Sequence, residues 1–145
     1  MASDYTWLFY ALLSAIFAAL VAIFGKVGLQ GLDSTTATAV RAVVMALFLI
    51  GTVIMLGKGN FVGEITGNSN AMKFIVLSGV AGALSWLFYF LALQKGTITQ
   101  VVPVDRSSVV FALILAAVFL GEKITLQSAT GAALIVIGAI LVALA

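Results

Sequence analysis

Seven basic and five acidic side chains, with no histidine and no cysteine, carry the ionisable chemistry of these 145 residues. Three of them stand where charge is expensive. Arg41 lies inside the apolar run 35–56, and Asp105 and Arg106 lie inside the run 101–120. At the centre of a membrane helix such a group costs about 2.5–3.5 kcal/mol and marks pairing or function by default. Without imidazole or thiol, general-base, nucleophilic and the commonest metal-binding chemistry have almost no carrier. No catalytic residue, cofactor or metal site is therefore expected. Gly57-Lys58-Gly59 lacks the spacing and the following Ser or Thr of a Walker A loop. Two roles stay open for Arg41 and Asp105: a neutral bridge that fixes helix register, or a pair lining a polar cavity that a solute rearranges.

Helical spacing puts Arg41 on a stripe with Ser34, Thr38 and Thr52, and Asp105 on one with Ser108, Ala112 and Ala116. Both runs start on the same side of the membrane, so Arg41 and Asp105 are expected at one level. Arg106 points about 100° from Asp105 and either snorkels to the interface or lines the cavity beside Arg41. Lys26, Arg41, Lys95 and Arg106 against Asp33 and Asp105 leave that end net positive, a sign that favours an anionic or zwitterionic solute. Pro103 cannot donate to the Thr99 carbonyl and pushes Val102 away from helical geometry. The fourth helix then either kinks or begins near Pro103, close to Thr99 and Gln100. Ser85 and Tyr89 are mid-membrane hydroxyls that need partners or a wet cavity. Trp86 is near the centre of its run, away from the interfacial belt that suits Tyr5, Trp7 and Tyr10.

The elements that must position these groups follow from composition. Apolar residues make up 63% and charged ones 8%, against about 45–50% and 25% in soluble domains; lipid is the solvent. A spanning helix takes roughly 20 apolar residues, and the runs 7–29, 35–56, 72–94, 101–120 and 126–144 qualify. They lack the period-two alternation of barrel strands. The expected fold is all-α: one polytopic domain over 1–145 with five transmembrane helices, and an uncleaved first helix behind Met1-Ala2-Ser3-Asp4. Asp33-Ser34 reads as the cap of the second helix. Residues 57–70 read as the one polar loop of any length, and Gly121-Glu122-Lys123 as a tight turn. Small residues at helical spacing suggest close-packing seams: Ala11, Ala15, Ala18 and Ala22; Ser78, Gly82, Ser85 and Tyr89; Gly131, Gly138 and Ala145. The few basic residues make no nucleic-acid footprint.

Three segments together resemble a known family: Arg41 within Ala37-Thr38-Ala39-Val40-Arg41; Ser85-Trp86-Leu87-Phe88-Tyr89-Phe90-Leu91-Ala92-Leu93-Gln94; and Val102-Pro103-Val104-Asp105-Arg106-Ser107-Ser108-Val109-Val110, running on to Phe119-Leu120-Gly121-Glu122-Lys123 and Gly131. They look like a single EamA-type domain of the drug/metabolite transporter superfamily, in its short five-helix bacterial and archaeal branch. The resemblance implies a half-transporter bundle in the cell inner membrane, moving small metabolites by alternating access. It puts Arg41, Ser85, Trp86, Tyr89, Pro103, Asp105 and Arg106 near the substrate path. Longer members look like two such domains fused in inverted topology. The four-helix multidrug branch carries a central Glu in its first helix; residues 7–24 here contain no acid, so proton-coupled cation export is not implied.

Lys26 and Lys95 fall in loops on one side and Lys58, Lys73 and Lys123 on the other, and counting Arg41 and Arg106 reverses the balance. With so little positive-inside bias, an antiparallel homodimer would recreate the ten-helix inverted arrangement. Its rival is a single orientation, working as a parallel oligomer or with another subunit. The alternative to a carrier is a non-transporting accessory subunit of a larger membrane complex.

Overall fold

A computed structural model describes Tyr5–Ala145; Met1–Asp4, with the uncleaved-start reading that rests on them, lie outside the described residues. The described chain is helical: α1 (Thr6–Gly28), α2 (Ser34–Met55), α3 (Asn60–Gly67), α4 (Ser69–Lys95), α5 (Ile98–Arg106), α6 (Ser108–Leu115), a π-helical turn (Ala116–Leu120) and α7 (Leu126–Leu144). Five helical stretches are long and apolar enough to cross a membrane: Thr6–Gly28, Ser34–Met55, Ser69–Lys95, Ile98–Leu120 and Leu126–Leu144. The protein is thus an all-α, multi-pass membrane protein. Most large apolar side chains on these spans are exposed, for example Phe48, Phe74 and Phe119. Acyl chains solvate such faces without loss, whereas water would not.

The chain divides into two compact units, one formed by 29–91 and the other by the N-terminal residues through Gly28 together with 92–145. In the first unit α2 starts where the carboxylate of Asp33 accepts from the Thr36 amide and hydroxyl, each at 2.7 Å. These two bonds hold the Asp33 carboxyl below its usual range. Asp33 therefore caps α2 as its position suggested. At the other end Gly57 takes a left-handed φ of 64° to leave the helix. Residues 57–70 are not one loop, as expected from their polarity, but contain the two-turn helix α3. Its Phe61, Val62 and Ile65 recur at helical spacing, a short amphipathic signal hidden among glycines and asparagines. Asn68 separates α3 from α4, its Oδ1 accepting from the Ala71 amide at 3.0 Å.

The second unit is built on α7. Helix α5 packs along it, α6 touches it, and α1 reaches α5. Ala132 and Ala139 of α7 and Ala22 of α1 are buried here. The heptad of small residues in α7 thus lies one position beyond the expected seam. Gly131 and Gly138 are exposed, with no side-chain or distant backbone atom within 4 Å of an added Cβ. One residue is a rotation of about 100°, and the methyl groups of Ala132 and Ala139, rather than the glycines, are on the buried side of α7. In α1 the expected stripe is buried only towards its end: Ala22 is buried and Ala18 half-buried, while Ala11 and Ala15 are exposed. Of the third expected stripe Ser78, Gly82 and Ser85 are exposed and Tyr89 is half-buried, while the buried residues of α4 are Phe90 and Leu93.

The fourth span is not started by Pro103. It begins at Ile98 behind a capping box, in which Thr97 Oγ1 accepts from the Gln100 amide and Gln100 Oε1 accepts from the Thr97 amide. Gln100 is thereby committed to the cap. The break comes four residues after Pro103, at Ser107, whose amide bonds to Val104 O at 3.0 Å instead of one residue further back. That 3₁₀-like tightening interrupts the stripe expected to run from Asp105 through Ser108 to Ala116. The span ends in a π-helical turn, closed by Gly121 at φ 69°, which leads to the Thr125 cap of α7.

Candidate functional site

Arg41 is positioned by α2 and met by α4. Its guanidinium carbon lies 3.3 Å from the centroid of the Trp86 ring and 4.4 Å from that of Phe90. Trp86 and Phe90 are one helical turn apart, so α4 presents both rings on one face. Phe90 is buried and holds the cluster together, meeting Trp86 edge-on at 6.4 Å between centroids and Tyr89 at 5.4 Å. A cation over an aromatic face gains about 0.5–1 kcal/mol when exposed and about 2 when desolvated. That offsets much of the cost of placing an arginine in a membrane helix, estimated at about 2.5–3.5 kcal/mol.

Stacking satisfies the charge but not the donors. A guanidinium lying on a ring keeps its N–H groups in its own plane, pointing outward. One of them, on Nη2, reaches only the thioether of Met45 at 3.7 Å, a weak acceptor one turn along α2. The other terminal nitrogen, Nη1, is buried and has no hydrogen-bond partner. A buried donor left so costs about 1–3 kcal/mol, and the shortfall lies along the edge of the guanidinium, not on the face that the rings cover. Thr38, on the same stripe, is not available as a relay, because its hydroxyl donates to Ser34 O at 2.7 Å.

The remaining expected residues fall as follows. Trp86 and Tyr89 are half-buried and lie in the aromatic cluster with Arg41, whereas Ser85, one position before Trp86, is exposed. Pro103 is half-buried within α5; Asp105 and Arg106 are exposed at the C-terminal end of that helix. The partners of Arg41 within its own unit are thus ring faces and a thioether, and no carboxylate is among them. Phe90 and Met45 were not expected as neighbours of the arginine. Their signal is spacing: Met45 stands four residues after Arg41, and Phe90 four after Trp86.

A second cation, Lys26 near the end of α1, has a different environment. Its Nζ donates to the carbonyls of Leu93 and Gly96, the latter at 2.7 Å. These are carbonyls at the C-terminal end of α4, where a cation is favoured by both hydrogen bonding and the helix dipole. Nothing in the sequence signals this contact, which joins residues far apart in the chain.

Comparison with known proteins bears on what such a chain does. The model of the EamA-like transporter family matches residues 5–144. A Sinorhizobium protein named as an uncharacterized transporter in the cobO 3' region is 43% identical over 138 residues, covering 95% of this chain and 96% of that protein. The mouse protein named solute carrier family 35 member G1 is 30% identical over 135 residues, which is 93% of this chain but 35% of the mouse protein. No solved structure matches with significance. The family match spans nearly every described residue and includes both the stacked arginine and the proline-bearing fourth span, and on that ground this chain belongs to the EamA-like transporter family.

Proposed function

We propose that this chain is a secondary transporter, an exporter or exchanger of small anionic or zwitterionic metabolites, working by alternating access as an antiparallel homodimer in the bacterial inner membrane. Family membership gives a membrane transporter; the finer reading is carried by one observation. Arg41 is a cation within a membrane span, braced by Trp86 and Phe90, with a buried donor that the chain leaves without a hydrogen bond. A purely structural arginine would be expected to spend its donors on the protein, because an unmet buried donor is costly. The residues proposed for the solute path are Arg41, Ser85, Trp86, Tyr89, Pro103, Asp105 and Arg106.

The dimer is supported by arithmetic and by open surface. This chain covers about a third of the mouse relative, so a longer member has room for more than one such domain. The near balance of basic residues across the loops permits both orientations. The exposed Gly131 and Gly138 leave a line on α7 where another helix can approach closely.

Purified protein in liposomes tests the carrier. The expected outcome is saturable exchange of at least one small organic acid or amino acid, abolished in Arg41→Ala and Asp105→Asn while both variants elute as the wild type does. Absence of flux for every solute class, with intact assembly, leaves the accessory-subunit reading. A C-terminal reporter scored on both sides of the membrane tests the dimer: signal on one side only removes the antiparallel arrangement.

A further inference from the structure

We infer that the group of the solute which Arg41 takes is a single, singly charged carboxylate, bound in the guanidinium plane at Nη1 while the face of the guanidinium stays on Trp86. This deepens the proposed carrier function and rests on it for the solute's route to the site, although not for the binding chemistry itself.

Three observations lead there. The aromatic faces are already taken. With the guanidinium carbon 3.3 Å from the Trp86 centroid and 4.4 Å from that of Phe90, neither ring offers that face to a solute, so Trp86 acts as a platform for arginine and not as a stacking site for a ligand. The free valence lies in the plane. Nη1 is buried without an acceptor, and its neighbour Nη2 meets only a thioether. An oxygen anion with two coplanar acceptors fits that edge, and charge-assisted hydrogen bonds of this kind are roughly twice as strong as neutral ones. The charge is one. Within the 29–91 unit the other cations are Lys58, in the turn after α2, and Lys73, in the first turns of α4. Arg41 lies in the second turn of α2, at the opposite end of that helix. A phosphate monoester brings about −1.5 to −2 charges at neutral pH, and the one arginine that this unit supplies there leaves about one of them uncompensated in a low-dielectric setting. A carboxylate leaves none.

The test uses Trp86 as its own reporter. The full chain carries two tryptophans, and Trp7→Phe at the exposed start of α1 leaves Trp86 alone. In detergent micelles at neutral pH this protein is titrated with benzoate, benzamide and phenyl phosphate, three probes that share one ring and differ in charge. The expected result is a saturable change in Trp86 emission with benzoate, with affinity at least about tenfold above the other two, or about 1.4 kcal/mol. Arg41→Gln in the same background should lose that preference. Equal affinities for benzoate and benzamide, a preference for phenyl phosphate, or no saturable response to benzoate overturns the inference, and none of these outcomes needs an arginine variant to fold. Flux through proteoliposomes separates this result from the carrier reading. Benzoate binding without flux of any solute removes the carrier and keeps the carboxylate site; flux of cations or neutral solutes only, with no benzoate preference, keeps the carrier and removes the site.

Discussion

Lys26 and Arg41 are both cations in apolar surroundings, one in each compact unit, and the chain treats them differently. Lys26 spends its ammonium on two carbonyls at the end of α4. Arg41 rests its charge on two rings and keeps a buried donor idle. An ammonium is a point charge whose three donors turn to whatever oxygens are near, which suits a cap. A guanidinium separates charge from hydrogen bonding: its face is satisfied by aromatic rings while donors on its edge can stay unmet. Lys26 is held by oxygen acceptors of the fold, whereas Arg41 keeps a donor for which the chain supplies none.

The largest effect that would sharpen this contrast is on transport. Arg41→Gln keeps amide donors but loses the charge, and solute exchange should fall by at least about tenfold, with the thermal midpoint within a few degrees of wild type. A folded, active Arg41→Gln protein would break the contrast from one side. Next comes Lys26→Met, which keeps the apolar stem and leaves the Leu93 and Gly96 carbonyls without their donor. A loss of about 1–3 kcal/mol is expected, read as a lower thermal midpoint in detergent. Unchanged stability would mean that the cap has no structural weight. Gly121→Ala places a Cβ on a residue at φ 69° and should cost about 1–2 kcal/mol, measured the same way. It bears on whether the unit built around α7 depends on its turn chemistry.

The smallest effect is that of Asp33, whose carboxyl is exposed and capped by Thr36. Its pKa is lowered in the folded chain, so its contribution is fully present above the ordinary carboxylate value of 3.8 and fades as pH falls through the lower folded value. Asp33→Asn should retain the cap at neutral pH and remove its acid sensitivity, while Asp33→Ala should lower the thermal midpoint slightly at neutral pH. Thermal melts of the three proteins between pH 7 and pH 3 measure this. A wild-type midpoint more sensitive to acid than to either substitution would place the acid response elsewhere.

The five spans are legible in the sequence because about 20 apolar residues between polar breaks leave no other element in lipid, and Asp33 is legible because caps are local. What escapes is whatever depends on which face turns inward. In α7 the glycines look like the seam, yet Ala132 and Ala139 are the buried pair; small size alone does not fix the rotation of a helix that is apolar all round beyond its first turns. The α3 helix escapes because its polar flanks outweigh three apolar residues. The break at Ser107 escapes because a proline marks the region of a helix defect but not the residue at which the chain relieves it. Arg41 is visible as a charge in a span, and an acidic partner is the natural expectation; the rings of Trp86 and Phe90 are harder to anticipate, since aromatic residues in a span read first as packing.

On the proposed function Arg41 serves the solute, whereas Lys26 serves the fold. Exchange in proteoliposomes, measured for Arg41→Gln and Lys26→Met beside their thermal midpoints, tests it most directly. A stable, inactive arginine variant is expected, and a less stable lysine variant that still exchanges below its melting temperature. An arginine variant that exchanges like the wild type, or activity that tracks stability alike in both, would contradict it.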